Sequence, residues 1–394
     1  MKKIFSHFED PGLFLPFSFL ITALLGFLIF PTFACSFDYQ YEGRFRAGTL
    51  ILFDPPPNDY SRYDNEVELR NGLVGTLYEH EDGHIFDYEV VGDWLYTGGI
   101  REETGIVKEE HDLELFRGWL RYEKGNLNVR AGRQQILFGA ASLFRPLGFY
   151  DTRVMSGIIP LTRGVDAVRP TYHPTPTSTI QGWAVHADND DRLLYGMRAE
   201  GNFGPIEAGI AGQYHPVTDL QFLTDFDLKM AQMGYHLKGE KTIGFWHESR
   251  LDILVDVPGD PIRLDTVFGV DYTFDVGQGL HVLVEYFLRA QEPGFINRDL
   301  KQDRTIEVLG LQVDQPVSID IVWRAFFFFD LTDQSFQFVP QVEYNIVEQI
   351  YLYAIARIGG SVDGDNRTGR LYRGNPFFYT GTESGAGLTL VAFF

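Results

Sequence analysis

The chain has 394 residues, 44% hydrophobic, 15% aromatic and 22% charged, which is too apolar for disorder and long enough for one large or two ordinary domains. Lys and Arg total 33 against 54 Asp and Glu, a formal net charge of -21, and this excludes nucleic acid as the main partner because a phosphate backbone needs cationic cover. The single cysteine, Cys35, excludes an internal disulfide framework, a Cys-rich zinc site and a C-x-x-C-H haem attachment, so no cofactor is expected on this chain.

Lys2 and Lys3 precede an apolar run from Gly12 to Ala34 that includes Phe19, Leu20, Ile21, Leu24, Leu25, Leu28 and Ile29, the layout of a secretory leader. Small residues at Ala34 and Ser36 point to a signal peptide over 1–36, cleaved after Ser36. Cleavage before Cys35 is the alternative, with Thr32-Phe33-Ala34 a poorer lipoprotein box. A retained anchor also remains open, although Pro16 and Pro31 interrupt the run. Residues 37–394 contain no further stretch of ~18 apolar residues, which excludes a helical membrane protein.

From Phe37 onward the chain alternates with a period of two. Phe37, Tyr39, Tyr41 and Phe45 fall on one face, and Asp38, Gln40, Glu42, Arg44 and Arg46 on the other. The pattern returns at Phe268, Val270, Tyr272 and Phe274, and then at Leu280, Val282, Val284, Tyr286 and Leu288 opposite His281, Glu285 and Arg289. It is clearest from Val317 through Ile319, Ile321, Trp323, Ala325 and Phe327 to Phe329. Stretches of about nine to thirteen residues suit a tilted membrane crossing, whereas strands of soluble sheets are more often about five or six. Aromatics at stretch ends, Phe326 to Phe329 and Phe377 to Tyr379, suggest an interfacial girdle. The fold class is therefore all-β, a transmembrane antiparallel barrel of about 16 to 18 strands, with 18 preferred. Starts are expected near 37, 64, 84, 111, 126, 164, 178, 192, 205, 226, 241, 263, 279, 305, 317, 334, 348 and 383.

The chain ends inside its last strand. Ala386, Leu388, Leu390, Ala392 and Phe394 form an alternating apolar set closed by a terminal phenylalanine, a poor ending for a soluble protein because a frayed aromatic terminus gains nothing. Phe394 is similar to the C-terminal assembly signal of Gram-negative outer-membrane barrels. That likeness implies the cell outer membrane as location, with its lipid and the barrel assembly machinery as partners.

The segment from Leu115 to Tyr122, a turn at Glu123 to Asn126, and then Leu127 to Gly139 with its Gly132-Arg133-Gln134 resembles a strand–turn–strand segment of porin-like outer-membrane barrels, alginate-export-like proteins included. Arg163 to Arg169 followed by Tyr172 extends the match. The resemblance implies an outer-membrane channel and names no solute.

Residues 117–169 carry nine Lys or Arg against three acids, and residues 79–115 carry twelve acids against Arg101 and Lys108. Alternation turns Arg117, Arg121 and Arg130 toward a lumen, and Arg133 joins them if a bulge at Gly132 resets the phase. Arg44, Arg46, Arg117, Arg121, Arg130 and Arg133 are thus the candidate pore-lining residues. Facing acidic walls, they would set a transverse field that filters charged solutes. The alternative is that they pair with lumenal acids and stiffen the barrel.

His80-Glu81-Asp82-Gly83-His84 matches H-E-x-x-H, but Asp82-Gly83 signals a hairpin turn, and without a helix the two histidines lose their common face. Asp363 to Asn366 begins like a calcium loop yet lacks its sixth-position glycine and terminal glutamate. No G-x-S-x-G occurs. No metal site and no enzyme activity are expected. The reading is an outer-membrane channel for passive diffusion of small hydrophilic or charged solutes, as a monomer or a homo-oligomer. The alternative is a barrel sheath around a partner such as an exported multi-haem cytochrome.

Overall fold

A pleated chain puts successive side chains on opposite faces, so the alternating sequence becomes a succession of long strands. The computed structural model describes residues 38–53, 63–100, 107–153, 157–186, 193–218, 228–255, 259–293, 295, 304–332, 334–361 and 384–394. The expected leader, the calcium-like loop and the aromatics at 377–379 lie outside the described residues. The strands are β1 (Asp38–Leu52), β2 (Tyr63–Glu79), β3 (His84–Ile100), β4 (Val107–Lys124), β5 (Leu127–Gln134), β6 (Val165–Thr175), β7 (Ser178–His186), β8 (Leu193–Phe203) and β9 (Ile206–Thr218). They continue with β10 (Leu228–Glu240), β11 (Gly244–Val255), β12 (Ile262–Phe274), β13 (Leu280–Gln291), β14 (Arg304–Pro316), β15 (Ile321–Asp330), β16 (Ser335–Val347), β17 (Ile350–Ser361) and β18 (Gly385–Phe393).

Each strand pairs with its neighbour in sequence, and β18 returns antiparallel to β1 from Phe393↔Arg44 to Gly385↔Leu52. The result is a closed eighteen-stranded antiparallel barrel, and closure leaves no sheet edge to satisfy. The largest departures from the expected starts are at β4 and β15. The run read from Val317 begins four residues early because Val317 to Asp320 form a turn, with the Val317 N–H donating to the Ile321 carbonyl at 2.8 Å. Val317 and Ile319 are 57% and 92% exposed there, so their spacing imitates a strand.

One rim carries short turns and the other longer connections, the asymmetry of outer-membrane barrels, whose short turns face the periplasm. The H-E-x-x-H segment is one of these short turns. His80 N–H donates to the His84 carbonyl at 2.9 Å, Gly83 adopts φ +79°, and His84 Nδ1 lies 2.9 Å from Tyr122 Oη.

The outward face is apolar. Leu120, Val168, Met197, Ile210, Phe268, Val270 and Leu388 are each about half exposed or more, a surface for acyl chains rather than water. The inward face is polar except where something packs on it. Leu283, Phe287, Val308, Phe326 and Val339 point inward and are buried together with Leu143 and Phe144 of the β5–β6 connection. Phe326 and Phe328, expected in a lipid-facing girdle, are therefore part of a seat for an inward loop.

Candidate pore and its inward loop

The connection 135–164 leaves β5, crosses the lumen and returns to β6. Its first part packs Ile136 and Phe138 against Ala167, Trp183, Val185 and Leu194 of β6–β8, and Tyr150 Oη donates to Gln213 of β9 at 2.9 Å. Burial raises the Tyr150 phenol, so it stays protonated as a donor. The far part reaches the opposite wall, where Phe144 lies 5.4 Å from the Phe287 ring and 5.9 Å from Phe328. Gly310 leaves the room: a Cβ there would fall 2.8 Å from Phe144.

Two wall carboxylates hold the loop by its backbone. Glu285 of β13 accepts the N–H groups of Ser142, Leu143 and Phe144 at 2.6, 2.9 and 2.7 Å, and Trp246 Nε1 at 2.8 Å. Glu248 of β11 accepts from Ala140, Ala141 and Leu147 at 2.8, 3.0 and 2.6 Å. A buried carboxylate is tolerated only when donors replace its water, and loop N–H groups that leave a sheet need acceptors, so the two requirements meet here. Gly139 is required beside Glu248, since a Cβ would sit 2.5 Å from Oε2 at φ +106°. Within the loop, Asp151 accepts from Arg145 Nε at 2.6 Å, Arg153 Nη2 at 2.6 Å and Thr162 Oγ1 at 2.7 Å. Burial alone would raise the Asp151 carboxyl, but the Arg153 and Arg145 guanidiniums and Thr162 outweigh it and hold the group below its ordinary value.

Docking on β11–β16 closes that side and leaves a cavity of about 1100 Å³ on the other, between the loop and strands β1–β4, β17 and β18. Seven carboxylates line it: Asp64, Glu66, Glu68, Asp93, Glu110, Asp112 and Glu114. Four arginines, Arg46, Arg70, Arg163 and Arg357, stand with them. Glu110, Asp112 and Glu114 occupy alternate positions of β4, and Ile158, Ile159 and Leu161 supply the loop side.

The six arginines singled out in the sequence separate. Arg44 is buried in an ion pair with Glu68, and Arg46 reaches Glu66 and Glu68 at the cavity wall. Arg117 was expected on the pore surface, yet it is 6% exposed and donates to the Thr162 carbonyl at 2.6 Å, tying the returning loop to β4. The cause is a bulge the sequence reading placed elsewhere. Register shifts between Val91 and Gly92 of β3, whose partners are Arg117 and Leu115, so Phe116 slips inward beneath Arg70 and Arg117. Gly132 adopts φ +116° without any register shift, and the position requires glycine because a Cβ there would lie 2.2 Å from the Gly118 carbonyl. Arg133 consequently stays on the face of Leu120 and Val168, where it pairs with Asp166 at 2.6 Å, and the expectation that it turns inward is corrected.

Arg121, Arg130 and Arg169 are direct cross-strand neighbours on β4, β5 and β6, a row of three guanidiniums on the lumenal face nearer the short-turn rim. Arg121 pairs with Asp87, Arg130 stacks over Trp119 at 4.0 Å, and Arg169 donates to the Gln135 carbonyl at 3.1 Å. Sequence reasoning missed Arg169 and the wall acids Glu248 and Glu285 as site residues. A lumenal parity shared with Arg130 was available for the first, and nothing local for the others.

A closed barrel with an even strand number, an apolar exterior and a charged interior narrowed by an inward loop has the architecture of outer-membrane porin-like barrels. No protein-family model matches the chain, and no curated protein matches it in sequence. Solved structures match in fold. OccAB1 of Acinetobacter baumannii gives a TM-score of 0.58 at 12% identity, covering 91% of this chain and 96% of that one. OccAB3 of the same organism gives 0.55 at 10%, covering 91% and 99%. OccK5 of Pseudomonas aeruginosa gives 0.55 at 8%, covering 91% and 97%.

Proposed function

We propose that the chain is a passive diffusion channel of the Gram-negative outer membrane for small hydrophilic solutes, favouring cations at its long-loop mouth and performing no covalent catalysis. The observation that carries this reading is the charged cavity of about 1100 Å³ beside the docked loop, larger than the ~300–1,000 Å³ of an ordinary small-molecule pocket. Its carboxylates outnumber its arginines seven to four, so the mean potential at the mouth attracts cations. The arginine row deeper in the lumen then orders the field along the axis rather than only across it. A sheath around a haem protein fits less well, because the loop already occupies the lumen that such a partner would need.

Liposome swelling tests the reading. Vesicles carrying the protein should swell faster in small neutral and cationic solutes than in anionic ones of equal size. Swelling no faster than protein-free vesicles in all three contradicts it.

A further inference from the structure

Outside the cavity, three lumenal side chains near the short-turn rim come together across β8, β9 and β10. Glu200 is the cross-strand partner of Gly209, and Gly209 of His236, so the three positions form one row. The middle position carries no side chain, and the imidazole uses that space: a Cβ on Gly209 would stand 2.3 Å from His236 Cε1. Glu207, two residues earlier on the same face, places Oε1 3.2 Å from His236 Nε2. Each of the three residues offers one ligand atom, and all of these lie within 4.8 Å of one another.

We propose that Glu200, Glu207 and His236 form a binding site for a divalent first-row transition metal such as Zn²⁺ or Co²⁺. One imidazole nitrogen with two carboxylate oxygens is a mixed N/O set suited to these ions, whereas calcium and magnesium prefer oxygen alone and more of it. Ligand atoms about 2 Å from a tetrahedral ion are about 3.4 Å apart. Glu207 and His236 are already at that separation. Glu200 must close a gap of at most about 1.4 Å, which a partly exposed side chain does by rotation. The His236 ring is 5% exposed and fixed over Gly209, so it acts as the rigid member, and Glu207, 46% exposed, is the most open of the three.

Two cations face the site and compete with the metal. Arg198 Nη1 lies 3.1 Å from Glu200 Oε2, and Lys238 is the cross-strand partner of Glu207. Lys238 is exposed and free to swing away. Arg198 is the stronger competitor and sets the site to release metal readily rather than to keep it as a structural ion.

The test uses untagged, folded barrel in detergent, titrated with Zn²⁺ by calorimetry and with Co²⁺ by visible absorption. One saturable site is expected, with Co²⁺ bands of low-symmetry N/O coordination. His236→Gln should abolish it, and Glu207→Gln should weaken it by at least about tenfold, the cost of losing even an outer-sphere partner. His84→Gln should change nothing. No saturable binding to the wild type overturns the proposal, as does equal binding by His236→Gln. Should that variant fail to fold, unchanged affinity in Glu207→Gln, at a position 46% exposed, overturns it alone.

Discussion

At the seam of the barrel Gly43 and Phe394 exchange backbone hydrogen bonds of 2.7 and 3.0 Å, and the Phe394 ring lies across the space a Gly43 Cβ would fill. Deleting Phe394 removes both, so the fraction of heat-modifiable, folded protein recovered from outer membranes should fall sharply. Normal recovery would count against an assembly role for this residue. A second residue-scale expectation concerns Arg121 and Arg130, adjacent on the lumenal face. Changing both to Gln leaves Asp87 without its arginine and removes two positive charges, so reversal potentials should move toward cation preference, most at low salt. Stability should change by less than about 2 kcal/mol because Arg121 is 29% exposed and Thr76 Oγ1 still donates to Asp87 at 3.0 Å. Asp151 gives the pH expectation. Its folded-state value is depressed, so the brace it forms is present above the unfolded value of about 3.9 and is lost only as pH falls through the lower folded one. Asp151→Asn should therefore give noisy channel current already at neutral pH, where the wild-type brace is intact, since breaking a buried pair costs about 3–5 kcal/mol. Legibility was uneven at this scale. Lumenal parity placed Arg44, Arg46, Arg121 and Arg130 on the inner face, but Phe116 and Arg133 depended on which glycine-adjacent position carried a bulge, and alternation alone does not decide that.

The strands were legible as elements because lipid on one face and water on the other impose a period of two that no helix shares. Eighteen were preferred, eighteen form, and their starts are displaced by a few residues where turn chemistry, as at Ser318, overrides apolar spacing. The inward loop was not legible. Its latches, Glu248 and Glu285, lie more than 90 residues away in sequence and look like any other lumenal acids. The signal that did exist was the set of violations: Leu283, Phe287 and Phe326 are apolar on a face that should be polar, and together they mark the seat. Replacing Glu248 and Glu285 with Ala leaves seven N–H donors without their carboxyl acceptors, each costing about 1–3 kcal/mol. The loop should leave the wall while the eighteen-strand sheet persists. Single-channel conductance is expected to rise and fluctuate, with heat-modifiable mobility unchanged; a conductance equal to wild type would show that the apolar seat alone holds the loop.

For the molecule as a whole, closure, lipid-facing surface and loop follow from one division of labour. The outer face satisfies the membrane, the sheet satisfies the backbone, and the lumen is left to carry charge. The chain's net charge is -21, and the lumenal charges are unevenly placed, with carboxylates concentrated on β2–β4 at the long-loop side and guanidiniums on β4–β6 below. The docked loop covers β11–β16, so on the proposed channel reading a solute meets the acids first. The measurement that tests this most directly is single-channel recording in a planar bilayer under a potassium chloride gradient. The account predicts discrete, long-lived conductance steps with a reversal potential of cation preference that weakens as salt rises. A protein that inserts and gives no steps, or one whose reversal potential has the opposite sign, would contradict it.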